Sequence, residues 1–138
     1  MISSENKQRI IAAWKARETG LSYPPATDEE IADFVDSCRD IPEDYLWFLK
    51  NCGGGVVGAE WVDGIDNLHC THTKFDEECA IPNGYTIKDS FVIGWDGAGN
   101  PMAISPEGKL IVQWHDSGAI EELAPSLELW LLKGLEIG

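Results

Sequence analysis

Basic residues are scarce in this chain beside its acids. Of its 138 residues only 10 are Lys or Arg, against 24 Asp or Glu, for a net charge of −14. A field of that sign repels nucleic acid and anionic membrane. It either favours a basic partner or simply keeps the protein in solution. The shortage is uneven. Residues 1–26 hold Lys7, Arg9, Lys15 and Arg17 against Glu5 and Glu18, a net of +2, so the rest of the chain carries −16. Long apolar runs are also missing. No stretch approaches the ~20 consecutive apolar residues of a membrane span, and "MISSENKQRI" lacks the basic-then-apolar order of a secretory signal. A cytoplasmic protein is expected, with Cys38, Cys52, Cys70 and Cys79 as reduced thiols. There is no internal repeat and no low-complexity tract. A length of 138 residues with 43% hydrophobic content suits one domain, 1–138, around a single core.

What is present begins with three helical patterns. Ile10, Ile11 and Trp14 share one face of residues 5–18. In "TDEEIADFVDSC", Thr27 and Glu30 have the spacing of a capping box, and Ile31, Phe34, Val35 and Cys38 follow as a buried stripe. "DIPEDYLWFLKNCGGG" predicts a third helix with Pro42 in its first turn, a buried face of Ile41, Tyr45, Phe48, Leu49 and Cys52, and glycines 53–55 as its stop. The period then changes. "VVGAEWV", "FVIGW", "PMAIS" and "LIVQW" read as strands, the last three joined by turn compositions into an antiparallel meander. "LAPSLELWLLKG" closes the pattern as a short helix. The expected class is α+β: N-terminal helices, a largely antiparallel sheet with a β-meander, and a short C-terminal helix.

Three stretches have residue types that could carry chemistry. "GWDGAGNP" (94–101) runs from strand into strand, whereas a phosphate-binding glycine loop opens a helix, and no Lys stands at the Walker spacing. Asp96 and Asn100 alone are too few oxygen donors for a helix-loop-helix calcium site. The stretch is therefore read as a hairpin with an acidic, exposed tip. In "HCTH", His69, Cys70 and His72, with Cys79 nearby, are competent zinc ligands. Their spacing matches no common zinc pattern and lacks a C-x-x-C pair, so a variable loop with exposed polar side chains is preferred and no metal is assigned. "WHDSG" (114–118) sets His115 beside Asp116, but adjacent strand residues face opposite ways, and Ser117 lies in a turn rather than a nucleophile elbow. A structural turn is the reading, and no catalytic residue is assigned. Core packing accounts for most of the six tryptophans, with Trp47 expected nearest the surface.

The order of "IPEDYLWFLKNCGGG", "VIGWDGAGNPMAIS", "GKLIVQWHD" and "LAPSLELWL" resembles the SUKH superfamily in its Smi/Knr-type branch, over roughly residues 27–133. The resemblance implies a central sheet packed by helices, and no shared catalytic residues. It makes Pro42, Asp44, Tyr45, Gly94, Asp96, Gly97, Gly99 and Asn100 architectural. It further implies binding to another protein: bacterial members are known as immunity proteins against toxins, often nucleases, and fungal relatives regulate cell-wall synthesis through protein contacts. Residues 66–85 match no family pattern. The expectation is a non-enzymatic, cofactor-free protein that binds a basic partner, a toxin first, with Asp63, Asp66, Asp76, Glu77, Glu78 and Asp96 as its contact residues. A regulatory scaffold with another partner is the alternative, followed by a small hydrolase or zinc protein.

Overall fold

The computed structural model describes residues 1–80 and 86–137. Helix α1 (Ser4–Lys15) starts where the Ser3 hydroxyl accepts from the Asn6 N–H, and it buries Ile10 and Trp14. Helix α2 (Asp28–Ser37) opens on the expected reciprocal cap between Thr27 and Glu30, and its Phe34 is buried. Ile31, Val35 and Cys38 are half-buried beside it. Helix α3 (Glu43–Asn51) follows Pro42 and buries Tyr45, Phe48 and Leu49. Ile41 is half-buried, and Cys52 is buried just past the helix.

"VVGAEWV" is two strands rather than the single one its composition suggests. β1 (Gly55–Val57) and β2 (Glu60–Val62) form a hairpin around Gly58 and Ala59. The meander lies where expected, with β3 (Phe91–Trp95), β4 (Pro101–Ile104) and β5 (Leu110–Gln113) in antiparallel order. A fourth strand, β6 (Ile120–Ala124), extends it. Two of its five residues are glutamates, poor strand formers, and its first three residues face solvent at the sheet edge. Helix α5 (Leu127–Gly134) begins at Ser126, which caps the Leu129 N–H.

The sheet strands are apolar without alternation because both faces are covered. Phe91, Ile93, Met102, Ile104, Leu110 and Val112 pack with Ile10, Trp14, Phe34, Tyr45, Phe48, Leu49, Leu127 and Leu131. The intervening residues Val92, Ala103 and Ile111 meet Phe75, Cys79 and Ile87 on the other side. The cover on that second side comes from the segment 66–80, which has no strand pattern in the sequence. It is helix α4 (Ile65–Phe75) continuing into a π-helical turn (Asp76–Ala80). Residues 81–85 lie outside the described residues; a 3-10 turn (Thr86–Asp89) leads into β3.

Glycines 53–55 do more than end α3. A Cβ on Gly53 would stand 2.3 Å from the Tyr23 carbonyl oxygen, and its φ of +90° is one that L residues rarely adopt. A Cβ on Gly55 would meet the Leu21 carbonyl oxygen at 2.3 Å, because residues 21–23 run alongside β1. There the Val56 N–H donates to the Leu21 carbonyl and the Tyr23 N–H to that of Gly54. Gly99, in the β3–β4 turn, has a similar φ of +84° but open space around it. Gly99→Ala should therefore show the backbone strain alone, about 1 kcal/mol, and Gly53→Ala should cost several-fold more by chemical denaturation. Equal losses would mean that the crowding at residue 53 carries no energy.

Candidate functional site

The four zinc-competent residues of "HCTH" and its neighbourhood are separated by the helix that holds them. His72 is 2% exposed, and its Nε2–H donates to the Val92 carbonyl at 2.9 Å. Its ring also packs 4.7 Å from Phe91 and 5.8 Å from Phe34. Thr71 and Cys79 are buried too, while His69 and Cys70 face solvent. The exposed loop expected here is thus a half-buried helix. Leu68, Thr71, His72, Phe75 and Cys79 follow helical spacing, but with a threonine and a histidine where an apolar stripe is normally sought. Among the described residues no three His, Cys, Asp or Glu side chains are grouped as metal ligands.

"WHDSG" forms the β5–β6 turn. The His115 N–H donates to Asn100 Oδ1 at 2.8 Å, and Ser117 Oγ accepts from the Ala119 N–H. The glycine-rich stretch forms the β3–β4 hairpin. Its Asp96 is half-buried, and the carboxylate accepts from the backbone N–H of Ala98 and Asn100 and from Asn100 Nδ2, at 2.8–3.0 Å. Partial burial alone would raise the Asp96 carboxyl, but those bonds outweigh it and hold the group below its ordinary range. Asp63 is turned inward as well. Its carboxylate accepts from the Thr71 hydroxyl, its carbonyl accepts from the Tyr45 hydroxyl at 2.6 Å, and its N–H donates to the Ile93 carbonyl. Burial pushes its carboxyl up to about 6, with the Thr71 bond opposing.

Asp66, Glu77 and Glu78 are exposed, and Asp76 is half-buried at the junction of α4 and the π-helical turn. In the sequence, Lys74 is the one base near "FDEEC". The fold supplies another, since Arg39 Nη2 lies 3.8 Å from Asp76 Oδ2, while Lys74 Nζ sits 4.5 Å from the Trp95 ring centroid. The fold also brings in acids from a helix far away along the chain. Helix α2 packs beside α4, and the groove of about 250 Å³ between them is lined by Glu30, Asp33, Asp66 and His69 over Phe34 and Ile65. Among the described residues no Lys or Arg lines this groove. The Thr27 backbone N–H is the main cause holding the Glu30 carboxyl below its ordinary range. Glu29 and Asp36 stand exposed on the same helix. Among the tryptophans, Trp47 is half-buried, and Trp61 (44% exposed) and Trp114 (36%) are the ones that reach solvent, contrary to expectation. Both lie next to turns rather than inside the covered sheet.

Burial, followed by the nearby Arg39 charge, lowers the His72 pKa to about 4. Acidification from about pH 6.5 to about pH 4 therefore protonates the unfolded state first, and the stability of neutral His72 is lost over that range. Asp63 works in the opposite direction. Its raised pKa gives a contribution that is full below about pH 3.8 and lost as pH rises through about 6. Asp63→Asn should be more stable than the parent near pH 7, and the advantage should shrink towards pH 4 by about 1.4 kcal/mol per unit. Denaturant titrations across that range provide the check. A constant difference would show that the Asp63 carboxyl titrates normally.

Among the described residues no helix is long and apolar enough to cross a membrane. No curated protein matches the chain. Helices α2, α3 and α4, the triple-glycine stop, the "GWDGAGN" hairpin and the meander all fall inside residues 25–133, which match the model of the SMI1 / KNR4 family (SUKH-1), and the chain belongs to that family.

Proposed function

We propose that this chain is a non-enzymatic immunity protein, and that the α2–α4 face is the surface with which it binds and neutralises a basic toxin domain. Family membership supports a protein-interaction or immunity-type domain. The observation that carries the finer reading is the groove between the two helices. Three carboxylate residues line it with His69, no Lys or Arg among the described residues joins them, and the acids of the π-helical turn continue the α4 end. A nuclease cleft must attract phosphate, so it presents the complementary charge, and complementary charge raises the association rate more than it raises affinity. Asp66, Asp76, Glu77 and Glu78 keep the contact role expected of them and are joined by Glu30 and Asp33. Asp63 and Asp96 are assigned to architecture, because their carboxylates are engaged inside the fold.

The natural test uses the product of the adjacent gene. Its toxicity on expression should be relieved by this chain and not by the triple variant Glu30→Gln, Asp33→Asn, Asp66→Asn. The variant should keep the parent's melting temperature and associate at least about tenfold more slowly at low salt, with a smaller salt dependence. Association at the parent's rate would remove the α2–α4 groove from the site. Binding to a partner that is not toxic would instead favour a regulatory scaffold.

A further inference from the structure

A second cavity lies at the one end of the chain where base outweighs acid. It measures about 400 Å³ and is bounded by the end of α1 and the loop that follows, with Trp14, Arg17, Ser22, Tyr23, Pro24 and Cys52 in its wall. Three residues of that wall each carry a buried polar atom with no hydrogen-bond partner among the described residues: Trp14 Nε1, Arg17 Nη1 and Ser22 Oγ. Trp14 is only 6% exposed. The Arg17 guanidinium stacks 4.1 Å from the Trp14 ring centroid and donates through Nη2 to the Val56 carbonyl at 2.5 Å. Among the described residues no carboxylate stands within ion-pair distance of it, in a chain with 24 acids. Glu18 lines the same cavity without forming that pair. Cys52 does not serve as an internal anion either, since burial pushes its thiol up to about 12 and keeps it neutral.

Buried donors are rarely left unmatched, and a half-buried cation without a counter-ion adds a further cost. A trapped water would satisfy donors but would not neutralise Arg17. We infer that the Trp14–Arg17–Ser22 cavity is a binding site for a carboxylate carried on an apolar stem. One carboxylate matches the single guanidinium charge and has enough lone pairs for all three donors, and the stem would lie against Tyr23, Pro24 and Pro25. Lys15 and Glu18 also line the cavity and offset one another in charge, so a phosphate dianion would bring a second charge that this wall does not balance. The site is independent of the acidic face, which it opposes in sign.

The carboxylate can come from a free short-chain acid or from the C-terminus of a peptide, and the two sources are separated by titrating butyrate and an N-acetylated Leu-Ala-Val peptide with a free C-terminus. Each is added to the full chain while the Trp14 indole N–H signal is followed by NMR. A saturating shift of that signal is expected, with a Kd of about 1 mM or tighter for the better of the two, which names the source. Butyramide and the C-terminally amidated peptide should leave it unmoved. Arg17→Gln should weaken binding at least about tenfold. Because the amide controls are run on the parent protein, the outcome does not depend on how that variant folds; Ser22→Ala provides a milder variant, with a smaller loss. No shift with either acid, or an equal shift with the amides, would overturn the inference and leave a hydrated cavity only.

Discussion

The fold turns on the passage of three glycines between two other stretches of backbone. Gly53 passes the carbonyls of Tyr23 and Pro24, Gly54 passes the Asp63 peptide, and Gly55 passes Leu21, each closer than any Cβ would allow. This crossing is where the helical half of the chain meets the sheet. Asp63, on the far side of it, is held from three directions: by Tyr45 of α3, by Ile93 of β3 and by Thr71 of α4. One residue thus ties together three elements, and burial of its carboxyl is the cost of doing so. The side chain that suits a partner-binding role by charge has a structural role by position.

The same arrangement sets where the acidic surface lies. Because both faces of the sheet are covered, α4 must bury Leu68, His72 and Phe75 against the strands or against α2, which turns Asp66 and His69 outward. Phe34 of α2 reaches the same cluster of rings, with His72 at 5.8 Å and Phe91 at 6.1 Å. The two helices are therefore joined beneath their exposed acids, and Glu30, Asp33 and Asp66 share one groove. Their mutual repulsion is offset by the apolar packing below and by the capping bond to Glu30.

Much of this is legible in the residues themselves. The capping box at Thr27, the stripe through Phe34, the Pro42 start and the three meander strands rest on local rules, and the structure follows those rules there. The departures share a cause. "HCTHTKFDEEC" has the look of a loop because two of its buried positions are Thr71 and His72, polar groups whose hydrogen bonds go to Asp63 and Val92, partners outside any local pattern. β6 has no strand signal because its glutamates face solvent from a sheet edge, where strand propensity counts for little. Of the candidate contact residues, Asp66, Asp76, Glu77 and Glu78 remain at or near the surface. The inward turn of Asp63 and the looping of Asp96 onto its own backbone depend on pairing that residue type and charge do not reveal. The contribution of α2 to the acidic groove is hidden for a related reason, since it needs two helices brought together from distant parts of the chain.

The claim that the α2–α4 face is the partner-binding surface is tested most directly by hydrogen–deuterium exchange on the complex with the adjacent gene's product. Slowed exchange in Asp28–Ser37 and Ile65–Phe75, with the β3–β4 hairpin and β6 unchanged, is the result expected. Protection confined to β6 and the two hairpin turns, with both helices exchanging as in the free protein, would contradict it.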